Sequence, residues 1–147
     1  MKNRLKGFTL LELMIVIAIL GILASFISGN LINSLKKGRD ARRKSDLEQI
    51  QRALELYYED NKSYPALITA GSQITHPSVA NKVYMQRVPD DPASNNDYTY
   101  VSSGTNYKIY SCIENTNDNG PGVTTYSVTC GDCGNCKYGV SSSNTLP

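Results

Sequence analysis

Glu12 is the one charged residue in a long apolar stretch, and it is the clearest chemical feature of the sequence. The stretch covers residues 8–27 and follows a short leader whose charged residues, Lys2, Arg4 and Lys6, are all basic. An uncharged apolar segment of this length predicts a membrane-spanning helix. A carboxylate inside such a helix costs about 2.5 kcal/mol or more unless it finds a partner. We therefore expect Glu12 to take part in a charge pair.

Four cysteines late in the chain form a second chemical set: Cys112, Cys130, Cys133 and Cys136. Four thiolates could bind zinc, but zinc ligands usually come as two separated pairs, whereas three of these cysteines are closely spaced. An even number of cysteines beyond a membrane segment favours two disulfides in an oxidising compartment. One disulfide should join Cys112, in a predicted strand, to the tail, and the sequence leaves its partner open.

A polar segment after the same strand imitates the start of a calcium-binding loop. Its candidate ligands are Glu114, Asn115, Asn117, Asp118 and Asn119. Only two of these are carboxylates, and the position where calcium loops carry glutamate is occupied by Tyr126. A polar β-turn is the favoured interpretation, and we predict no metal site.

No set of residues suggests catalysis. His76 is the only histidine, and it lies in a loop next to Pro77 with no cysteine near it. The sequence contains neither a recognisable nucleophile–base pair nor a phosphate-binding loop, so we predict no enzyme activity and no cofactor. The net charge of +2 comes from the leader, and the nearly neutral remainder argues against a nucleic-acid-binding domain.

These residues would be positioned by one long helix, predicted from about Thr9 to Asp60 with Asn61 as its stop. Its first part is apolar all round, and its second part is amphipathic. A basic run lies at residues 36–44, which we interpret as a solvated helix face. Acids at i,i+4 spacing should pair with it, for example Asp40 with Lys44 and Arg42 with Asp46.

A small antiparallel sheet should follow a Pro-punctuated loop at residues 61–97. The predicted strands, rich in Tyr, Val, Ile and Thr, are 98–102, 107–114 and 123–129. Alternation along the second strand should turn Tyr107, Ile109 and Ile113 toward the helix, and Tyr110 and Cys112 to the other face. The predicted fold class is α+β: a long N-terminal helix packed on a small antiparallel sheet with a cysteine-stapled tail.

The segment Gly7-Phe8-Thr9-Leu10-Leu11-Glu12, behind a basic leader, strongly resembles the N-terminus of type IV prepilins and type II secretion pseudopilins. The resemblance implies a leader at 1–7, a transmembrane and filament-core helix at 8–29, and a globular domain at 30–147. It implies cleavage by a prepilin peptidase between Gly7 and Phe8 and N-methylation of Phe8. It also implies that Glu12 recruits each subunit to a growing filament, with the Phe8 amine of a neighbouring copy as its natural counter-ion.

By this resemblance the chain would be a structural subunit, first a single-pass protein of the bacterial inner membrane and then part of an extracytoplasmic filament. Its partners would be other copies or related subunits, the prepilin peptidase, an inner-membrane assembly platform and the lipid bilayer. We favour a type IV pilus subunit, because the stapled tail is pilin-like and the carboxylates with which some relatives bind calcium are missing. The alternatives are a type II secretion pseudopilin and a membrane-anchored binding module that never polymerises.

Overall fold

The computed structural model of the chain describes residues 7–93 and 97–147, which form two compact units. We call Met1–Leu35 the stem and Lys36–Pro147 the head. A single helix, α1 (Leu10–Asn61), contributes to both units and confirms the predicted long helix. It ends where the sequence indicates, because Lys62 takes a left-handed φ of 55° and its N–H bonds to the carbonyl of Tyr58 at 2.8 Å.

The described part of the stem is a helix without a packed side. Every large apolar side chain from Phe8 to Phe26 is exposed, over a range from 46% at Val16 to 83% at Phe8. A helix that is apolar all round needs an apolar environment. By length and composition α1 contains a segment that could cross a membrane.

The head contains two small antiparallel sheets. In the first, β1 (Ile74–Thr75) pairs with β2 (Val83–Met85). In the second, β4 (Tyr107–Ser111) lies between β3 (Thr99–Ser102) and β5 (Tyr138–Ser141). A 3₁₀ turn at Gly131–Cys133 lies in the long connection from β4 to β5.

The head's main core lies between the second half of α1 and one face of the three-stranded sheet. Leu47, Ile50 and Leu54 of α1 are fully buried, as are Tyr107 and Ile109 of β4. The opposite face of β4 carries a second small cluster, in which Tyr110 packs with Cys130 and Cys136. Both faces of this strand therefore carry the side chains that alternation predicts.

The third strand of the sheet differs from the prediction. Residues 123–129 make only isolated bridges, Val123 with Tyr138 and Thr129 with Asn135, and the third strand is β5, which we had placed in the tail. Residues 138–141 occupy the second edge of β4 instead, and Gly122, at φ 75°, turns the chain where the predicted strand would begin; a Cβ on Gly122 would lie 2.9 Å from the carbonyl oxygen of Gly139. The second predicted strand is also shorter, since β4 ends at Ser111.

Candidate functional site

The proposed processing point lies at the accessible start of the described chain. Gly7 precedes the helix, and a Cβ added there would meet nothing within 4 Å. Phe8 follows with 83% of its surface exposed. An uncovered Gly–Phe bond ahead of the helix can enter the active site of a peptidase without unfolding any packed structure. Residues 1–6, which belong to the predicted leader, lie outside the described residues.

Thr9 and Glu12 form a capping box at the start of α1. The backbone N–H and the hydroxyl of Thr9 both donate to Glu12 Oε2, at 2.9 and 2.7 Å, and the Glu12 N–H donates back to Thr9 Oγ1 at 3.2 Å. This reciprocal arrangement satisfies backbone donors that a helix start leaves open. Both bonds from Thr9 end on Oε2, and Oε1 accepts no hydrogen bond from any described residue. Glu12 therefore has a local partner and keeps an oxygen for a second one.

The basic run on α1 forms only part of the solvated face that we predicted: Lys37 and Arg42 are exposed, but Arg43 is not. Arg43 is only 2% exposed. Its Nε and Nη2 donate to the two carboxylate oxygens of Asp91 at 2.6 and 2.9 Å, and its Nη1 donates to Asp40 at 2.7 Å and Glu114 at 2.9 Å. Burial alone would lower the pKa of Arg43, but the hydrogen bonds to Asp91 and Glu114 outweigh it and raise the pKa above its ordinary value.

Two further contacts complete this group, and we call Arg39, Asp40, Arg43, Asp91 and Glu114 together the Arg43 cluster. Asp40 accepts the backbone N–H groups of Glu114 and Asn115 at 2.8 to 3.1 Å. Arg39 donates to both oxygens of Glu114. The hydrogen bond from Arg39, reinforced by Arg43 and opposed by burial, lowers the pKa of Glu114 to about 2. The cluster ties α1 to two separate loops of the head.

The i,i+4 pairs predicted along α1 are only partly present. Arg42 lies 3.7 Å from Asp46, as predicted, but Asp40 and Lys44 do not pair with each other. Asp40 turns to the Arg43 cluster, and Lys44 reaches Asp118 at 2.7 Å instead. The sequence did not indicate the contacts of Arg43 with Asp91 and Glu114 or that of Lys44 with Asp118, because each of these joins residues more than 40 positions apart. The one usable sign was the density of charge on a helix face that also carries core residues.

The calcium-loop candidates lie in a segment of two turns, residues 114–122, which we call the polar loop. The N–H of Asp118 bonds to the carbonyl of Asn115, and that of Val123 bonds to Gly120, each at 3.1 Å. Asn117 and Asn119 are exposed. Across residues 7–93 and 97–147, no group of three or more His, Cys, Asp or Glu side chains is placed to hold a metal ion.

The four cysteines form two disulfides, Cys112–Cys133 and Cys130–Cys136. The first joins the chain just after β4 to the 3₁₀ turn and spans 21 residues. The second joins two cysteines six positions apart and closes a short loop within the connection to β5. Together they hold that connection over Tyr110, on the face of the sheet that points away from α1.

Comparison with known protein families gives two matches. The model for the type II secretion system protein G matches residues 30–129, and the model for the prokaryotic N-terminal methylation motif matches residues 2–28. Together these two segments include almost the whole helix α1 and most of the head.

Several characterised proteins are similar to this chain over most of its length. The type II secretion system core protein G of Vibrio cholerae is 39% identical over 105 residues, which cover 67% of this chain and 71% of that protein. The protein of the same name from Aeromonas hydrophila is 39% identical over 116 residues, with 74% and 80% covered. That of Klebsiella michiganensis is 40% identical over 113 residues, with 71% and 78% covered. No solved structure matches the chain.

Proposed function

The chain belongs to the type II secretion system protein G family, and from this premise we propose how its two units act in a filament. The prediction of a pilus-like structural subunit is confirmed by this membership. The family is that of the secretion pseudopilin, which we had named as the alternative to a type IV pilus subunit. Its members are structural subunits.

The proposal begins with processing of the N-terminus. Residues 1–7 are a leader that a prepilin peptidase removes between Gly7 and Phe8, and the new Phe8 amine is then methylated. The match of residues 2–28 to the methylation motif and the uncovered Gly7–Phe8 bond support this step. Residues 8–29 then form the membrane and filament-core helix, and residues 30–147 form the globular domain.

The observation that carries the proposed assembly is the stem itself: a continuous apolar helix with exposed side chains and a single acid near its start. Before assembly the lipid bilayer of the inner membrane covers this surface. In the filament the stems of neighbouring copies cover it, and the Phe8 amine of one copy pairs with Glu12 of the next. Because an unpaired charge is costly in this environment, the pair favours one register among many apolar packings.

The proposed partners follow from this path. They are other copies of the chain or related pseudopilins, the prepilin peptidase and the assembly platform of the secretion machinery. The proposed location is the inner membrane, with the head and its disulfides on the oxidising side, and afterwards the extracytoplasmic pseudopilus. The proposal includes no catalytic role, no cofactor and no nucleic acid.

The proposal is tested by producing the full chain with a prepilin peptidase and an assembly system, and then comparing filament yield among variants. Mass spectrometry of the wild-type subunit should show an N-terminus at Phe8 that carries one methyl group. Glu12→Gln is the decisive variant, because glutamine retains the capping box with Thr9 but carries no charge. We expect normal processing and at least a tenfold loss of filaments. The Phe8 amine of the neighbouring copy would be left without its counter-ion, at a cost of about 2.5 kcal/mol or more, and about 1.4 kcal/mol is already a factor of ten.

Glu48→Gln is the matched control, since Glu48 is an exposed acid of α1 in the head whose side chain is 58% exposed. It should be processed and assembled like the wild type. Wild-type filament yield from Glu12→Gln would refute the charge pair. An intact leader in a membrane-bound chain that forms no filaments would instead favour the non-polymerising anchor.

A further inference from the structure

The polar loop is bound by a cation of the protein itself, the ammonium of Lys44. Lys44 of α1 places its Nζ 2.7 Å from Asp118 Oδ2. The same ammonium lies 5.5 Å from the centre of the Tyr138 ring and 3.3 Å from the point where a Cβ on Gly120 would be. Lys44 therefore reaches from the helix into the loop, where it binds Asp118 and lies beside Gly120.

The carboxylate oxygens of the polar loop, which a divalent ion would need most, are already occupied. Asp118 Oδ1 accepts the N–H of Gly120 at 3.0 Å, while Oδ2 accepts from Lys44. Both oxygens of Glu114 accept hydrogen bonds from Arg39, and Oε1 also accepts one from Arg43. A calcium ion in this loop would lie beside an ammonium and two guanidinium groups. Calcium sites provide six to eight oxygen ligands and no neighbouring cation, so the residues present do not fit the ion.

We propose that the Lys44 ammonium takes the place of a divalent cation in the polar loop, so that the head of this chain folds and stays closed without calcium. The loop is then fixed to α1 by a charge that cannot diffuse away, and the ammonium offers three donors to the acceptors around it. The hydrogen bond from Lys44, together with the N–H of Gly120, also lowers the pKa of Asp118, because both donors stabilise the ionised carboxylate. This inference concerns the closure of the head alone and does not depend on filament assembly.

The test measures thermal unfolding of the full chain in detergent by the near-UV circular dichroism of its tyrosines. The protein is compared in excess EDTA and in millimolar CaCl₂. The wild-type Tm should be the same in both. Lys44→Met should lower the Tm by about 3–6 °C, as a loss of roughly 1 kcal/mol does in a domain of this size. Asp118→Asn should do the same, and the double variant should fall no further than either single change.

Lys62→Met is the matched control, because Lys62 has a 72% exposed side chain and lies 3.6 Å from an exposed Glu59. Its Tm should stay within about 2 °C of the wild type, as expected for an exposed ion pair. A wild-type Tm that rises by several degrees in CaCl₂ would overturn the proposal, whatever the variants do. A Lys44→Met protein that melts with the wild type, or Tm losses that add in the double variant, would overturn it as well.

Discussion

Replacing Arg43 with methionine should destabilise the head more than any other single charge removal on α1. The substitution keeps the unbranched apolar part of the side chain, lacks the guanidinium, and removes the four hydrogen bonds to Asp91, Asp40 and Glu114. Asp40 and Asp91 are 2% and 7% exposed, so both carboxylates would remain in a site that water hardly reaches. Breaking a buried ion pair by removing one partner costs about 3–5 kcal/mol. Against a total stability of about 5–15 kcal/mol, this is a large fraction.

The assay is thermal unfolding followed by near-UV circular dichroism of tyrosine. All ten tyrosines lie in the head and the chain has no tryptophan, so the signal reports the head without the stem. Arg43→Met should lower the Tm by roughly 10–20 °C. Arg43→Lys should recover only part of the loss, because an ammonium cannot make the paired contact with both oxygens of Asp91.

Arg52→Met serves as the control, since the Arg52 side chain is 67% exposed and lies 3.9 Å from its partner Glu48. It should change the stability by no more than about 0.5 kcal/mol. If Arg43→Met also costs less than about 1 kcal/mol, the Arg43 cluster is not what fastens the loops to α1. Full recovery by lysine would refute the argument from paired geometry.

Three further predictions concern the head. Replacing Cys112 and Cys133 together with serine should cost about 3 kcal/mol in denaturant unfolding, and removing the shorter disulfide about 2 kcal/mol, because the first spans 21 residues and the second six. A reversed order would contradict the loop-length argument. Since the pKa of Glu114 is lowered to about 2, its contribution should be fully present above pH 4.5 and be lost as the pH falls toward 2; a flat stability profile across that range would contradict this. Gly122→Ala should lower the free energy of denaturant unfolding by about 1–3 kcal/mol, since φ is 75° and the new Cβ would lie 2.9 Å from the carbonyl oxygen of Gly139. Unchanged stability would show that the turn can adapt.

The sequence predicts the features of this fold that depend on local pattern. Apolar periodicity places α1 within a residue of its observed ends, and alternation assigns Tyr107 and Ile109 to one face of β4 and Tyr110 to the other. The N-terminal motif is equally local, and six consecutive residues indicate a pilin-like subunit without separating a pilus subunit from a secretion pseudopilin. Each of these predictions follows from neighbours in sequence, where spacing alone determines which side chains share a face.

The sequence does not predict contacts that depend on which loop folds against which helix. The segment Val88-Pro89-Asp90-Asp91-Pro92 has ordinary turn composition, yet Asp91 is the main partner of a buried arginine. Residues 123–129 have the composition of a strand, but β4 already pairs with β3 along one edge, and residues 138–141 occupy the other edge as β5. In both cases competition among distant segments decides the outcome, and composition carries no information about that competition.

The position of β5 also bears on how fast the head can be completed. Its pairing with β4 brings Tyr138 opposite Ser111 across a long stretch of intervening chain, and such long-range pairings form slowly. Cys112 lies one residue after Ser111, and Cys133 lies five residues before Tyr138. The disulfide between them therefore shortens the loop that must close before β5 can pair with β4. Oxidation of this one pair converts the last strand pairing into a nearly local event. The β4–β5 pairing should therefore form faster in a head with this disulfide than in one whose cysteines are reduced.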